Sequence, residues 1–301
     1  MSVPAAAVRI ARFTVLMYKP HYLLYGILWV LALEGTAALV TDQDWHPTAA
    51  TVVRIVVVAV VLLYLRMVDE QKDLEYDRVH NPDRPLVTGA VRAADLRVAM
   101  CFIAIFSVAA SLALSVGSAV MITTALGYGL ALWGMERLFL TVRTNILVNL
   151  VVTYPVQLLV TAYAVVSAID TGVVGKNWRA AAVAVIFAGA FLQFEFARKT
   201  TRTIHPSTMM YSNILGANGS AATALLCAVV AVLGDVALVR PWVQVGPAAL
   251  IAWIPLSLLL IPAFGSWRFG AQDRSDHPVL PAILFILALY LVLIAQALVV
   301  P

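Results

Sequence analysis

The chain has 301 residues, a net charge of +4, and a composition that is 62% hydrophobic and only 12% charged. That leaves too little polar surface to cover a soluble globule of this size, so the chain must be solvated by lipid. Two cysteines, Cys101 and Cys227, both fall in apolar stretches and point to packing, not to a disulfide framework or a Cys-based metal site.

In chain order, the apolar windows predict spans at 22–41, 49–68, 96–116, 118–135, 144–168, 179–197, 218–239, 242–262 and 279–299. The first follows Arg9, Arg12 and Lys19 as a secretory leader would. Glu34 interrupts it, however, and no clear small-residue cleavage site follows, so it reads as a span. The uncharged run from Val98 to Met135 is 38 residues long, too long for one span, and a hairpin at Gly117 and Ser118 divides it. No soluble domain, low-complexity tract or fixed-period repeat is visible, which predicts a single membrane domain over residues 1–301.

With the N-terminus in the cytoplasm, this layout puts Arg9, Arg12, Lys19, Arg66, Lys72, Arg78, Arg84, Arg92, Arg97, Arg137, Arg143, Arg198, Lys199, Arg202, Arg268 and Arg274 inside. Only Arg54, Lys176, Arg179 and Arg240 fall outside. Sixteen cations against four set the orientation by the positive-inside rule and agree with an odd number of spans. The positive charge therefore needs no nucleic-acid partner.

The longest polar connection runs from about Asp69 to Asp95, directly after span 2. Asp69, Asp73 and Asp77 stand at i, i+4 and i+8, so a continued helix turns them by only about 40° per step and stacks them on one face. Like charges at that spacing cost about 0.2–0.5 kcal/mol per pair, which a bound cation offsets. Oxygen-only ligands suit Mg²⁺, which takes one or two carboxylates together with substrate phosphates. The competing reading is a solvated helix end of mixed charge, since Glu70, Lys72, Glu75 and Arg78 share the segment. Pro82 and Pro85 stop the helix and restrain Arg84 between them, and Gly89 permits a turn before span 3.

These residues resemble the first signature of the UbiA superfamily of intramembrane prenyltransferases. In it, an Asn or Asp is followed at four-residue intervals by two aspartates and then by an Arg-Pro-Leu-x-x-Gly run. Asp69, Asp73, Asp77 and Arg84-Pro85-Leu86-Val87-Thr88-Gly89 match in order and spacing. The resemblance implies an all-α fold of about nine transmembrane helices around a central cavity, with an isoprenyl diphosphate as substrate and Mg²⁺ as cofactor. It makes Asp73 and Asp77 catalytic metal ligands, adds Asp69 where many members have Asn, and offers Arg78 and Arg84 as phosphate contacts. Arg66, one turn before Asp69, either pairs with an acid or approaches the diphosphate.

The family's second aspartate-rich signature, after span 6, is altered: no aspartate occurs between Asp170 and Asp235. In its place stand Glu195, Arg198, Lys199 and Arg202. Two readings stay open. Either fixed cations replace part of a second metal and bind the substrate diphosphate, or this is ordinary positive-inside charge with an i,i+4 Glu195–Lys199 pair of about 0.3–0.5 kcal/mol. Tyr211 and Asn213 are placed to face the same site.

Glu34 inside span 1 calls for a partner or a water-filled cavity, a hydrogen bond to another helix being favoured. Asn145, Asn149, Gln157 and Gln193 are candidates to line the cavity, and Trp29, Trp133, Tyr154 and Tyr163 to face an isoprenoid chain or cation. His80 and His205 fall in the two polar loops without zinc-type spacing. Apart from Arg66 no intramembrane Arg or Lys stands out, which weighs against a carboxylated acceptor.

The resemblance thus predicts a Mg²⁺-dependent prenyltransferase in which the metal and cations neutralise a departing diphosphate while a lipophilic acceptor, such as an aromatic ring, captures the prenyl group. A UbiA-type terpene cyclase, which needs no acceptor, is the nearest alternative. A transporter is the third, and it predicts related halves with broken helices that the sequence does not display. The N-terminus and both polar loops are expected on the cytoplasmic side of the bilayer.

Overall fold

In a computed structural model, which describes residues 3–203, 209–271 and 274–300, regular structure is helical throughout. His205 lies outside the described residues. In chain order the helices are α1 (Val3–Met17), α2 (Pro20–Leu39), α3 (Ala49–Lys72), α4 (Leu74–His80), α5 (Ala93–Leu112), α6 (Val116–Leu138), α7 (Leu140–Thr144), α8 (Ile146–Thr153), α9 (Pro155–Asp170), α10 (Trp178–Ala182), α11 (Ala184–Arg198), α12 (Ser212–Val239), α13 (Pro247–Leu258), α14 (Leu260–Ala271) and α15 (Val279–Val299). Among the described residues, nine helical stretches are long and apolar enough to cross a membrane, and the β contacts amount to one isolated bridge, Thr201 to Asp276.

The spans fall close to the apolar windows, and the differences have local causes. The third hairpin turns at Ala113–Ser115, not at Gly117, because the Ser115 hydroxyl caps α6 by accepting the Ser118 N–H at 2.8 Å. The seventh stretch begins at Ser212, not 218: one extra turn precedes Gly216, whose φ of 70° breaks the helical path before the long apolar run. The eighth runs over Leu250–Ala271, well beyond the expected end at 262. Pro255 stays inside α13, and the span divides into α13 and α14 just before Pro262.

The helices gather into two compact units. The first comprises Met1–Val30, Thr48–Leu140 and Pro155–Thr171. Its core is α3 packed on α5, α6 and α9, with Val57, Met67, Leu96, Ile122 and Tyr163 fully buried. Thr48 opens α3 with a capping box shared with Thr51. Arg9 of α1 grips Asp95, in the first turn of α5, through two bonds of 2.7 and 2.9 Å.

Arg54, counted above among the cations of the outer side, is buried inside the first unit. It sits in the second turn of α3 with no exposed surface, donating Nη1 to the Ser167 carbonyl (3.3 Å), the Ser167 hydroxyl (3.2 Å) and the Thr171 hydroxyl (3.0 Å).

The second unit comprises Leu31–Pro47, Thr141–Tyr154 and Gly172–Pro301. Its tightest pairing is α11 on α12, and Gly189 explains the closeness: a Cβ there would stand 2.6 Å from the Cys227 carbonyl and 2.8 Å from the Ala231 nitrogen. Glu34 is buried and accepts the Trp45 Nε1–H at 3.0 Å, from the loop that follows its own helix. Asn145 caps α8, and Asn149 donates to the Val142 carbonyl.

Candidate active site

The acidic segment lies in the first unit, where α3 passes into α4. The helix does not continue through it. Asp73 has φ −89° and ψ 6°, which ends α3 at Lys72 and starts α4 at Leu74, although its N–H still reaches the Asp69 carbonyl at 2.8 Å. The bend interrupts the expected continuous helix, although the Asp77 N–H still reaches the Asp73 carbonyl at 2.8 Å. Among the described residues, no three acidic, His or Cys side chains are gathered to hold a metal ion.

Each carboxylate instead has its own surroundings. Asp69 is half-exposed and lies 3.2 Å from Lys72 Nζ, which also lies 3.1 Å from Glu136 at the end of α6. Asp77 is buried, accepts the Asn81 Nδ2–H at 2.8 Å, and has Arg84 Nη1 3.0 Å from its other oxygen. Asp73 has neither an ion pair nor a side-chain hydrogen bond among the described residues. Burial first, and then the nearby charges of Asp69, Glu136 and Asp77, push its carboxyl up to about 6 against the opposing pull of Lys72.

Two acids that hold this site together carried no motif to single them out. Glu70, 1% exposed, accepts Arg66 Nη2 at 3.2 Å and Arg84 Nη1 at 3.1 Å. Glu136 is the second anchor of Lys72. A glutamate four residues after Arg66 is the only sequence signal for the first. For the second there is none, because α6 is remote in the chain. Arg66 thus pairs with an acid, and Arg84 is tied to two, with its remaining surface beside an open hollow lined by Met17, His80, Asn81 and Pro82. Arg78 is exposed and makes no contact of this kind; His80 stacks on Tyr76 with ring centroids 4.1 Å apart.

Asp69, Glu70, Asp73, Asp77 and Glu136 face three cations, Arg66, Lys72 and Arg84, so the set holds two more negative than positive charges. Its donors are all oxygen, and Asp73 has no cation of its own. Such a set fits one divalent cation held by one or two carboxylates, Asp73 first, and does not fit a closed three-aspartate cage.

The altered second segment lies in the second unit, at the end of α11. Glu195 is buried, and both its oxygens are engaged: Arg198 Nε and Nη2 each at 2.6 Å from one, Lys199 Nζ at 2.9 Å from the other. The Tyr211 hydroxyl donates a longer bond of 3.3 Å to Glu195, which together with burial raises the phenol well above its ordinary range. Arg202 is held apart, its guanidinium over the Phe269 ring at 4.6 Å and bonded to the Phe269 carbonyl at 3.0 Å. The i,i+4 pair is therefore present, both Glu195 oxygens are engaged, and two cations crowd one acid.

Comparison with solved structures returns three whole-chain likenesses. A UbiA homologue from Aeropyrum pernix K1 superposes with a TM-score of 0.62 at 17% identity, over 90% of this chain and 96% of that one. A UbiA homologue from Archaeoglobus fulgidus, solved with DMAPP and Mg²⁺, gives 0.57 at 15%, over 91% and 96%. The chain has a UbiA-type fold. Digeranylgeranylglyceryl phosphate synthase gives 0.59 at 13%, over 96% of this chain and 99% of that one. No protein-family model matches the chain, and no curated protein is significantly similar to it in sequence; the UbiA-type likeness is one of fold.

Proposed function

We propose that the protein is an intramembrane enzyme that consumes an isoprenyl diphosphate and transfers the prenyl group to a lipophilic acceptor. The observation that carries this reading is the acidic set around Asp73, two negative charges in excess, on a fold shared with a homologue solved with DMAPP and Mg²⁺. The charge distribution along the chain supports a cytoplasmic N-terminus and cytoplasmic placement of both polar segments.

On this reading Asp73 is the first ligand of Mg²⁺, with Asp69 and Asp77 as its neighbours. Bound there, Mg²⁺ supplies positive charge against which a diphosphate departs. Arg84, steadied by Glu70, and the exposed Arg78 meet phosphate oxygens, which strengthens as charge develops on the leaving group. In the second unit, Arg198 and Lys199 carry more charge than Glu195 cancels and serve phosphate in the same way, with Tyr211 keeping Glu195 in register. Arg202 fixes the start of the loop on α14. Exclusion of water by the apolar spans protects the allylic electrophile from hydrolysis.

The test is incubation of purified protein with Mg²⁺ and allylic diphosphates of several chain lengths, with and without a membrane-lipid or aromatic extract, beside Asp73→Asn. Prenylated acceptor that disappears in the variant is the expected result. A cyclic hydrocarbon formed without acceptor replaces the transferase with a cyclase. Absence of pyrophosphate release under every condition removes the enzyme reading.

A further inference from the structure

Two cations of the first unit sit on the oxygens that a metal ion needs. Lys72, 11% exposed, touches Asp69 at 3.2 Å and Glu136 at 3.1 Å. Arg84 touches Asp77 at 3.0 Å and Glu70 at 3.1 Å. Each has one partner among the proposed ligands and one outside them.

The two contacts of Arg84 are unequal. Its Nη1 makes an aligned hydrogen bond to Glu70 Oε2, whereas Asp77 Oδ2, though close, has no hydrogen bond and is buried. The bond to Glu70 is the directional one, and the contact with Asp77 is charge alone. For Lys72 the comparison rests on burial: Glu136 is 10% exposed and Asp69 49%, so the pair with Asp69 is the more screened by water.

Resting on the reading above, we infer that Lys72 and Arg84 are exchangeable counter-ions of the site. When a divalent cation and a diphosphate bind, Lys72 gives up Asp69 and stays on Glu136. Arg84 gives up Asp77, stays anchored on Glu70, and turns its freed N–H groups to phosphate. A divalent ion and a fixed cation compete for the same carboxylate, and each cation has a second acid to hold it when it loses. Glu70 and Glu136 are the positioning residues of this exchange, and neither touches the metal.

The experiment measures Mg²⁺ binding to purified protein by isothermal titration and by thermal stabilisation, alone and with inorganic pyrophosphate. Removing a competitor tightens binding: Lys72→Gln and Arg84→Gln are expected to bind Mg²⁺ alone about three- to tenfold more tightly, the range for freeing one partly screened ion pair. Arg12→Gln removes the same charge from an exposed residue outside the site and is expected to stay within about twofold. With pyrophosphate present the order reverses for Arg84→Gln, which binds it more weakly than wild type. Glu136→Gln leaves Lys72 to Asp69 alone and weakens Mg²⁺ binding, a readout that survives if Lys72→Gln does not fold.

Unchanged or weaker Mg²⁺ binding in folded Lys72→Gln and Arg84→Gln overturns the exchange and makes both residues structural clamps. Wild-type protein that binds no Mg²⁺, with or without pyrophosphate, overturns the prenyl-diphosphate reading as well.

Discussion

Glu70→Gln tests whether a buried glutamate, not the aspartates, organises the acidic site. Glu70 is 1% exposed and is the common partner of Arg66 and Arg84, whose side chains are 26% and 25% exposed. Breaking a buried pair from one side costs about 3–5 kcal/mol when the remaining charge is sealed from water. Here both guanidinium groups keep water and Arg84 keeps Asp77, so the loss scales down to about 1–2 kcal/mol. For a unit of this size that lowers Tm by about 2–8 °C. The assay is a thermal melt of detergent-solubilised protein followed by the monodisperse fraction remaining. Arg84→Gln and the double variant complete a cycle whose coupling is expected to be about 1 kcal/mol or more. A Glu70→Gln melt within about 1 °C of wild type, or additive losses in the cycle, would refute the reasoning, because Glu70 would then be a bystander of the two arginines.

Gly189→Ala is expected to destabilise the second unit by about 1–3 kcal/mol, since its Cβ meets the backbone of α12, which cannot yield as a side chain does; urea or thermal melts read this. Arg202→Ala removes a cation–π contact and a hydrogen bond to the Phe269 carbonyl and should cost about 1–3 kcal/mol. Tyr211→Phe, which loses only a 3.3 Å bond, should cost less than about 1 kcal/mol in the same melts. His277 is buried with neither ring nitrogen bonded, and burial lowers its pKa below the usual value of about 6.5. The unfolded chain therefore binds this proton more readily, so stability is full above about pH 6.5 and falls as pH drops below it. His277→Asn should flatten that slope in Tm measured across pH.

How much of this was legible in the sequence follows from which signals are local. Apolar stretches of span length are local, and the nine windows fall close to the observed spans. The Ser115 cap and the turn before Gly216 shift ends by a few residues, because hydropathy does not register a hydroxyl or a single positive φ. The Asp69–Asp73–Asp77 spacing is also local, but its consequence is not. A four-residue repeat presumes an unbroken helix, and the bend at Asp73 breaks it. The burial of Arg54 is hidden for the opposite reason: a cation near a span's start reads as exposed until Ser167 and Thr171, more than a hundred residues away, are seen to receive it. Glu136 and Glu70 matter through partners that tertiary packing and the Pro82–Pro85 turn deliver.

The two polar segments carry opposite electrostatic balances, and under the proposed function that contrast bears on how charge would be handled. The site in the first unit sets five carboxylates against three cations and leaves Asp73 without a cation of its own. The second sets one carboxylate against two cations, with both oxygens of Glu195 already occupied. By charge alone the first attracts a divalent cation and repels an anion, and the second does the reverse. A second acidic segment would call for a second metal to bring phosphate near it. Fixed cations remove that need, since Arg198 and Lys199 are charged without having to be recruited from solution. Their cost is a buried glutamate that must hold them, and the bonds from Arg198, Lys199 and Tyr211 satisfy it. Under the proposed function the chain would trade a recruited charge for a permanent one, and Mg²⁺ would be held at the first segment alone.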